Sequence, residues 1–319
     1  MVTESERLCS DVYILRFWIW KGMVIEMKMK VSVSERIFNV FNILLLSGLT
    51  LITLYPFLYV LFGSFSEPSE LMKTGGLLIK PAGFSLKGYT TVLANEEILS
   101  GYLNTIYYVI LGTVCSLLTS SLLAYTLSRP YLKYKSVIMI MMIITMFFNG
   151  GLIPTFLVVK GVGLYNSRWA MILPTLLSTY NVIVLKSAFE GIPHSIEESA
   201  RVDGANSMTV LFRLLIPLSK AAIAVQVLFY GVGIWNAWFN AMIYLKDRSL
   251  YPVQLILREI LLESSGGDMT TGAQVVDKVG LSDVIKYATV IITTVPVLCV
   301  YPFLQKYFVK GVMIGAVKG

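Results

Sequence analysis

Between two long apolar runs of this chain lies the polar segment Ile192-Pro193-His194-Ser195-Ile196-Glu197-Glu198-Ser199-Ala200-Arg201-Val202-Asp203-Gly204-Ala205. Ser195 and Glu198 have the spacing of a capping box, so we expect a short helix to begin here. Gly204 predicts the end of that helix. Asn206 can cap a second helix that must end by Pro217, because proline donates no N–H and disfavours helix in the residue before it. The stretch therefore predicts two short helices joined by a bend.

The predicted bend carries small side chains and few bulky ones. Ser199, Ala200, Gly204 and Ala205 leave room for the backbone of another protein to approach closely. The only histidine of the chain, His194, has no carboxylates or thiols arranged around it and is interpreted as a solvated loop residue. The stretch is therefore typical of a surface on which a partner protein docks.

The same stretch resembles the EAA loop of the membrane permease subunits of binding-protein-dependent ABC importers. The family pattern is Glu-Ala-Ala, three residues, Gly, nine residues and then Ile-x-Leu-Pro. Glu198-Ser199-Ala200, Gly204, Leu214, Ile216 and Pro217 stand at those spacings, with Ser199 at the middle alanine and two aliphatic exchanges. The resemblance begins near residue 31, and the closing segment, 310–319, is similar to the tails of carbohydrate-uptake permeases.

The resemblance implies an ATPase-docking role for part of this loop and a set of partners. The partners are an ABC ATPase dimer, a second homologous permease subunit in a heterodimer, and an extracytoplasmic solute-binding protein that delivers a sugar or oligosaccharide. The chain has no Gly-x-x-x-x-Gly-Lys-Ser/Thr phosphate loop, so the ATPase activity is expected to belong to a partner, and no catalytic residue or cofactor is predicted. The predicted ATPase-docking residues are Glu197, Glu198, Ser199, Ala200, Asp203, Gly204 and Ala205.

The composition independently indicates a membrane protein. Hydrophobic residues make up 56% of the chain and charged residues 14%, and the mean hydropathy is +0.72. Six charge-free stretches can each supply the run of about 20 apolar residues that crosses about 30 Å of hydrocarbon. We therefore predict an all-α polytopic protein with six transmembrane helices and a docking loop, residues 190–219, between the fourth and fifth. The predicted spans are 37–63, 104–128, 136–159, 169–189, 220–245 and 285–305.

The distribution of basic residues predicts the orientation. When the N-terminus is placed inside, sixteen of the 26 lysines and arginines fall in inner segments. Both termini and the docking loop are then cytoplasmic, in a bacterial cytoplasmic membrane. The net charge of +7 follows mostly from this topology and gives no reason to expect nucleic-acid binding. Cys9, Cys115 and Cys299 have no metal-ligand or redox spacing, so no metal site is predicted.

The first 30 residues fall outside the family pattern, which covers 31–319. Two interpretations compete. The extension is either an interfacial amphipathic segment, or a start-site artefact with translation beginning at Met27 or Met29. We prefer the second.

Polar and helix-breaking residues at membrane depth are costly and often mark a pathway. The pair Asn149-Gly150 predicts a break in the third span, which is either a pathway hinge or the end of the span with a re-entrant turn. An aromatic ring at Trp235 could stack on a sugar, and the amides of Asn236 and Asn240, four residues apart on one helix face, could bind hydroxyls. An aromatic belt at the interface is the alternative there. Weaker candidates, equally explained by helix packing, are Tyr180 and Asn181.

These observations predict the permease subunit of an ATP-driven sugar or oligosaccharide importer. An ion-gradient-driven secondary transporter is one alternative, but it would usually carry buried carboxylates or internal repeats, and the six charge-free stretches carry no acidic residue. A membrane scaffold would leave the loop spacing unexplained. An ABC permease for a non-sugar solute also remains open.

Overall fold

The computed structural model describes residues 33–74, 76–265 and 273–316 of the 319-residue chain. Within these ranges the regular structure is helical, and the one β-type contact is an isolated bridge between Ser66 and Phe84. The all-α prediction is therefore confirmed. The predicted N-terminal extension, 1–30, lies outside the described residues.

Fifteen α-helices lie in the described ranges. Three short segments of other helical type accompany them: the 3-10 turns Leu173–Thr175 and Arg248–Leu250 and the π-helix Val210–Leu215. The α-helices in chain order are α1 (Val33–Ser64), α2 (Pro68–Lys73), α3 (Lys87–Leu93), α4 (Glu96–Ser128), α5 (Lys135–Phe147), α6 (Leu152–Gly161), α7 (Trp169–Ile172), α8 (Thr179–Glu190), α9 (His194–Val202), α10 (Ser207–Thr209), α11 (Ile216–Leu218), α12 (Lys220–Trp235), α13 (Trp238–Tyr244), α14 (Val253–Ser265) and α15 (Ala273–Ala316).

Three stretches among the described residues are long and apolar enough to cross a membrane as single helices: Ser34–Ser64, Glu96–Ser128 and Gly280–Val300. Three further candidates are bent pairs of helices, so the number of spans rises to six if each pair is one span. The bent pairs are Lys135–Phe147 with Leu152–Gly161 at 115°, Trp169–Thr175 with Thr179–Glu190 at 56°, and Ser207–Leu218 with Lys220–Trp235 at 88°. The six-span topology and the cytoplasmic termini stay predictions.

The spans predicted over 136–159, 169–189 and 220–245 are each divided in the structure. In the first of them α5 ends at Phe147, and Gly151 has a φ of +88°, a conformation that glycine adopts without the Cβ clash of other residues. The Oδ1 atom of Asn149 accepts a hydrogen bond from the Gly151 N–H at 3.0 Å and fixes this turn. The predicted break at Asn149-Gly150 is therefore present.

The fifth predicted span, 220–245, is divided by a break that the sequence did not predict. Helix α12 ends at Trp235 and α13 begins at Trp238. The Nδ2 atom of Asn236 donates to the Val232 carbonyl oxygen at 3.0 Å, so the side chain competes with the backbone for an acceptor of the helix. The expectation that Asn236 and Asn240 share one helix face is wrong, because the two residues do not lie on one continuous helix.

Among the described residues, 33–57 form one compact unit and those from Leu58 onward form another. In the first unit, the candidate span on α1 has apolar side chains exposed on all sides, such as those of Phe41 and Ile52. A helix that is hydrophobic all round is covered by lipid or by another protein.

Helix α4 is the central element of the second unit and packs against α8, α12 and α14. Small residues of α4 allow these helices to approach closely, as is common between membrane helices. A Cβ atom added at Gly101 would lie 2.5 Å from Ile256 Cδ1 and 3.2 Å from the backbone of Val253. Helix α15 packs along α12 and α14 and also contacts α2 and α3.

Gly101→Ala should destabilise the second unit by about 1–3 kcal/mol, because the added methyl group overlaps α14, whose backbone cannot turn away as a side chain can. The thermal unfolding midpoint of the purified chain in mild detergent measures this. Gly161→Ala is the matched control, since an added Cβ there meets nothing within 4 Å. Equal midpoints for the two variants would contradict the close packing of α4 on α14.

Candidate functional site

The first helix of the docking loop, α9, begins without the predicted capping box. Pro193 is the N-cap residue, and the Ile196 N–H donates to its carbonyl oxygen at 3.2 Å. Ser195 lies inside the helix, where its own carbonyl oxygen accepts from the Ser199 hydroxyl at 2.9 Å. Helix α9 therefore begins at His194, two residues before the start that a Ser195 cap predicts. Proline stands at its N-cap position, where its fixed φ suits the entry to a helix.

The bend after α9 is built as the sequence predicted. Gly204 has a φ of +85°, which residues with a Cβ rarely adopt. Its N–H donates to the Arg201 carbonyl oxygen at 3.0 Å, and the Ala205 N–H donates to the Ala200 carbonyl oxygen at 2.9 Å. This pair of bonds is a Schellman motif, which satisfies carbonyls at the end of a helix and turns the chain away.

The second helix of the loop also starts as predicted but ends later. The Asn206 Oδ1 accepts from the Thr209 N–H at 2.8 Å and caps the helix. The helix then continues past Pro217 to Leu218, one residue further than expected. The π-helix over Val210–Leu215 precedes the proline, and such a segment loosens the hydrogen-bond ladder where the proline ring would otherwise clash.

A buried ion pair ties α9 to the end of α4. Glu197 is 7% exposed and Arg129 is 5% exposed, although both carry charge. Arg129 Nη1 is paired with Glu197 Oε2, and its Nε and Nη2 atoms donate to the Ser128 hydroxyl at 3.1 and 3.0 Å. Burial lowers the pKa of the Arg129 guanidinium, while the nearby Tyr125 raises it. The carboxylate of Glu197 is therefore engaged within the chain.

Arg201 completes this network from the exposed side. Its Nη2 atom pairs with Glu197 Oε1 at 2.9 Å and donates to the Tyr131 hydroxyl at 2.9 Å. The Tyr125 hydroxyl lies 3.4 Å from the same carboxylate oxygen. One carboxylate thus joins two guanidinium groups, one from the same helix and one from the end of α4.

The seven residues predicted to dock an ATPase divide into an exposed set and a buried or partly buried set. Glu198, Ser199, Asp203 and Gly204 are exposed. Glu197 is buried in the ion pair, and Ala200 and Ala205 are partly buried against the apolar cluster beneath the loop. The small size of the two alanines therefore lets the loop lie close to its own cluster.

The predicted pathway residues do not gather at one place. Trp235 lines an apolar cavity of about 510 Å³ between α4, α12 and α15. The other lining side chains are aliphatic except for Thr113, and neither Thr113 Oγ1 nor Trp235 Nε1 has a hydrogen-bond partner in the described part of the chain. A cavity with this lining offers few hydrogen-bonding groups to the hydroxyl groups of a sugar.

The other six pathway candidates lie outside the lining of this cavity. Asn149 and Gly150 are exposed at the break between α5 and α6, and Asn236 is exposed at the end of α12. Asn240 is half-buried on α13. On α8, Asn181 is buried, whereas Tyr180 is exposed and its ring lies 6.0 Å from that of Phe229. The pathway role of all seven stays a prediction.

Comparison with known proteins places the chain in a family. The family described as "binding-protein-dependent transport system inner membrane component" matches residues 116–314, which is more than half of the chain. The chain belongs to this family. It is therefore a membrane protein, and residues 190–219 lie within the matched region.

Two named proteins and one solved structure are similar to this permease along most of its length. Protein LplC of Bacillus subtilis strain 168 is 40% identical over 90% of this chain and 96% of its own. The polygalacturonan/rhamnogalacturonan transport system permease protein YtcP of the same strain is 41% identical over 90% of this chain and 100% of its own. A crystal structure of a bacterial ABC transporter involved in the import of the acidic polysaccharide alginate contains a similar chain, with 31% identity, a TM-score of 0.79, and coverage of 87% of this chain and 98% of that one.

Two features of this permease were missed from the sequence. From the sequence, Arg129 was interpreted only as a basic residue that indicates orientation, although it directly follows the second span. The i, i+4 spacing of Glu197 and Arg201 was the available signal for a pair on one helix face. The apolar side chain of Val202 at the end of α9 is 88% exposed and adds an apolar contact to the outward face of the loop.

Buried polar atoms inside the bundle were also missed. Gln226 of α12 is fully buried, and neither its Oε1 nor its Nε2 atom has a partner within the described ranges. A lone amide in an apolar run was visible in the sequence, and such groups are costly in a membrane. Ser116 and Ser219 likewise have buried hydroxyls without a partner there.

Gln226→Met should raise the stability of the permease by about 1–3 kcal/mol, because it removes an amide that is out of water and unpaired while keeping the volume of the side chain. The thermal unfolding midpoint in detergent measures the change. Gln254→Met, at a half-buried position on α14, is the control and should change the midpoint little. A lower midpoint for Gln226→Met would mean that the amide holds a bond.

Proposed function

We propose that this chain is the permease subunit of an ATP-driven importer that receives an oligosaccharide from an extracytoplasmic solute-binding protein and passes it across the membrane. The observation that carries the proposal is the docking loop. Its bend is set by Gly204 at a φ of +85°, and its outward face is presented on a helix that is fixed from behind by a buried ion pair. A surface that is both exposed and rigidly supported suits contact with a partner that moves it.

The proposed ATPase contact consists of the outward-facing residues of the loop. Glu198 and Asp203 supply negative charge, and Val202 supplies apolar area. Exposed ion pairs are worth only about 0–1 kcal/mol each, so the apolar contact and the shape of the bend supply most of the affinity. The ATPase activity belongs to this partner in the proposal.

A second permease subunit is part of the proposal because one chain carries one docking loop, whereas an ATPase dimer presents two equivalent surfaces. The exposed apolar side chains of α1 also require a cover of lipid or protein. Family analogy favours a heterodimer. The proposed topology has six spans, with both termini and the docking loop cytoplasmic.

The proposed substrate is an oligosaccharide that carries uronic acid groups. The support is that the permease YtcP is named for polygalacturonan and rhamnogalacturonan, and the similar crystal structure belongs to a transporter for the acidic polysaccharide alginate. Both polymers contain uronic acids. A neutral oligosaccharide or a non-sugar solute is the competing substrate.

Gly204→Asp or Gly204→Lys should abolish uptake while the chain still inserts into the membrane, because a side chain at the bend costs about 1–2 kcal/mol of backbone strain and stands in the contact with the ATPase. Uptake of labelled oligosaccharide, the amount of chain in the membrane fraction and co-purified ATPase are the measurements. Gly163→Asp is the matched control, because Gly163 also has a positive φ of +77° and open space around it. Normal uptake by Gly204→Asp would remove the docking role.

Oligogalacturonides should stimulate ATP hydrolysis by the purified transporter in the presence of its solute-binding protein, because loaded binding protein is what triggers the cycle in this proposal. Neutral oligosaccharides of equal length and free amino acids serve as the comparison. Stimulation by an amino acid alone would contradict the carbohydrate assignment, and stimulation by the neutral oligosaccharide alone would contradict the uronic acid assignment.

A further inference from the structure

We propose that Arg129 and Glu197 are positioning residues that transmit movement of the docking helix α9 to α4. The proposal rests on the proposed contact between the docking loop and an ATPase. Neither residue would touch the ATPase, since both are buried. Their function is to make α9 and the end of α4 move as one piece.

The ion pair is needed because α9 has little apolar surface that packs against the rest of the chain. Its larger apolar side chains, Ile196 and Val202, are exposed. From the helix itself the side chain that packs on the apolar cluster is the small Ala200, while Ile192 just before the helix and Ala205 just after it also pack there. Small contacts of this kind would allow the helix to slide or rotate.

The geometry of the pair opposes such sliding. Arg129 uses separate atoms for two partners, with Nη1 on Glu197 and both Nε and Nη2 on the Ser128 hydroxyl. The guanidinium carbon also lies 4.7 Å above the Tyr125 ring, so the plane of the group is fixed as well. A buried charge that loses its partner has no water to replace it, and the pair therefore has one favourable arrangement.

Helix α4 carries the movement to the opposite end of the bundle. It is a continuous helix of 33 residues, which corresponds to a length of about 50 Å. Near its other end, Asn104 Nδ2 donates to the Ser249 carbonyl oxygen at 2.7 Å and the Tyr108 hydroxyl donates to the Leu250 carbonyl oxygen at 2.8 Å. The Thr105 hydroxyl accepts from the Val253 N–H at 2.9 Å.

These contacts define a strut, by which we mean α9, the Arg129–Glu197 pair and α4 together. One end of the strut carries the docking surface. The other end is bonded to the segment 249–253, which leads into α14. Displacement of α9 by a partner is therefore delivered to that segment, and loss of the ion pair disconnects the two ends.

The test uses Glu197→Gln, which keeps the size of the side chain and removes its charge. The assembled transporter is reconstituted with its ATPase, partner permease and binding protein, and both uptake and ATP hydrolysis are measured per assembled complex. We expect the complex to form and the number of substrate molecules transported per ATP hydrolysed to fall about ten-fold, which is within the range typical of coupling between two sites. Arg129→Lys, which keeps the charge but loses the planar fork, should fall in between.

Glu190→Gln is the matched control. Glu190 also bridges two basic groups, Lys135 at 2.9 Å and Lys186 at 2.7 Å, but it is exposed and lies outside α9. Its ratio of transport to hydrolysis should equal that of the wild type.

The possible outcomes separate the strut from the proposed function. A merely structural role for Glu197 would lower the amount of complex and leave the ratio per complex unchanged, and that result would overturn the proposal. Full loss of ATPase from the Glu197→Gln complex would also overturn it, because the residue would then be a docking contact. If the wild-type chain itself binds no ATPase, the proposed function fails first.

Discussion

A carboxylate that is removed from water must be paired, and this requirement determines how the docking loop is joined to the rest of the chain. Glu197 is buried together with Arg129, although the two residues are far apart in sequence. Breaking such a pair by removing one partner typically costs about 3–5 kcal/mol, because the other charge is left without compensation. The position of α9 is therefore fixed relative to α4, and the outward-facing residues of that helix take their place from this contact.

Local rules predicted the parts of the site that depend on neighbouring residues. Gly204 sets the bend and Asn206 caps the second helix, since each effect needs only the backbone of adjacent turns. The start at Pro193 and the continuation past Pro217 were not predicted, because two local rules competed at each place and a π-helix resolved the second. The contact between Arg129 and Glu197 depends on the packing of α4 against the loop, which no spacing in the sequence reveals.

The fold, like the site, was predicted in part. Composition and charge-free runs predicted an all-α membrane protein, and the pair Asn149-Gly150 predicted the break in the third span. The break after Trp235 was missed because the run 221–245 carries no charged residue and no proline, and the amide of Asn236 bonds to a carbonyl of its own helix. That break separates Asn236, at the end of α12, from Asn240 on α13, so the two amides do not lie on the one helix face that the linear spacing suggested.

The most direct test is a pair of structures of the assembled transporter, one without nucleotide and one with a non-hydrolysable ATP analogue. The quantity to measure is the separation between the Arg129 guanidinium nitrogens and the Glu197 carboxylate oxygens in each state. It should stay within ion-pair reach, about 4 Å, in both while α9 and the adjoining end of α4 shift together. A pair that opens in one state, with α9 moving while α4 stays in place, would contradict the rigid connection.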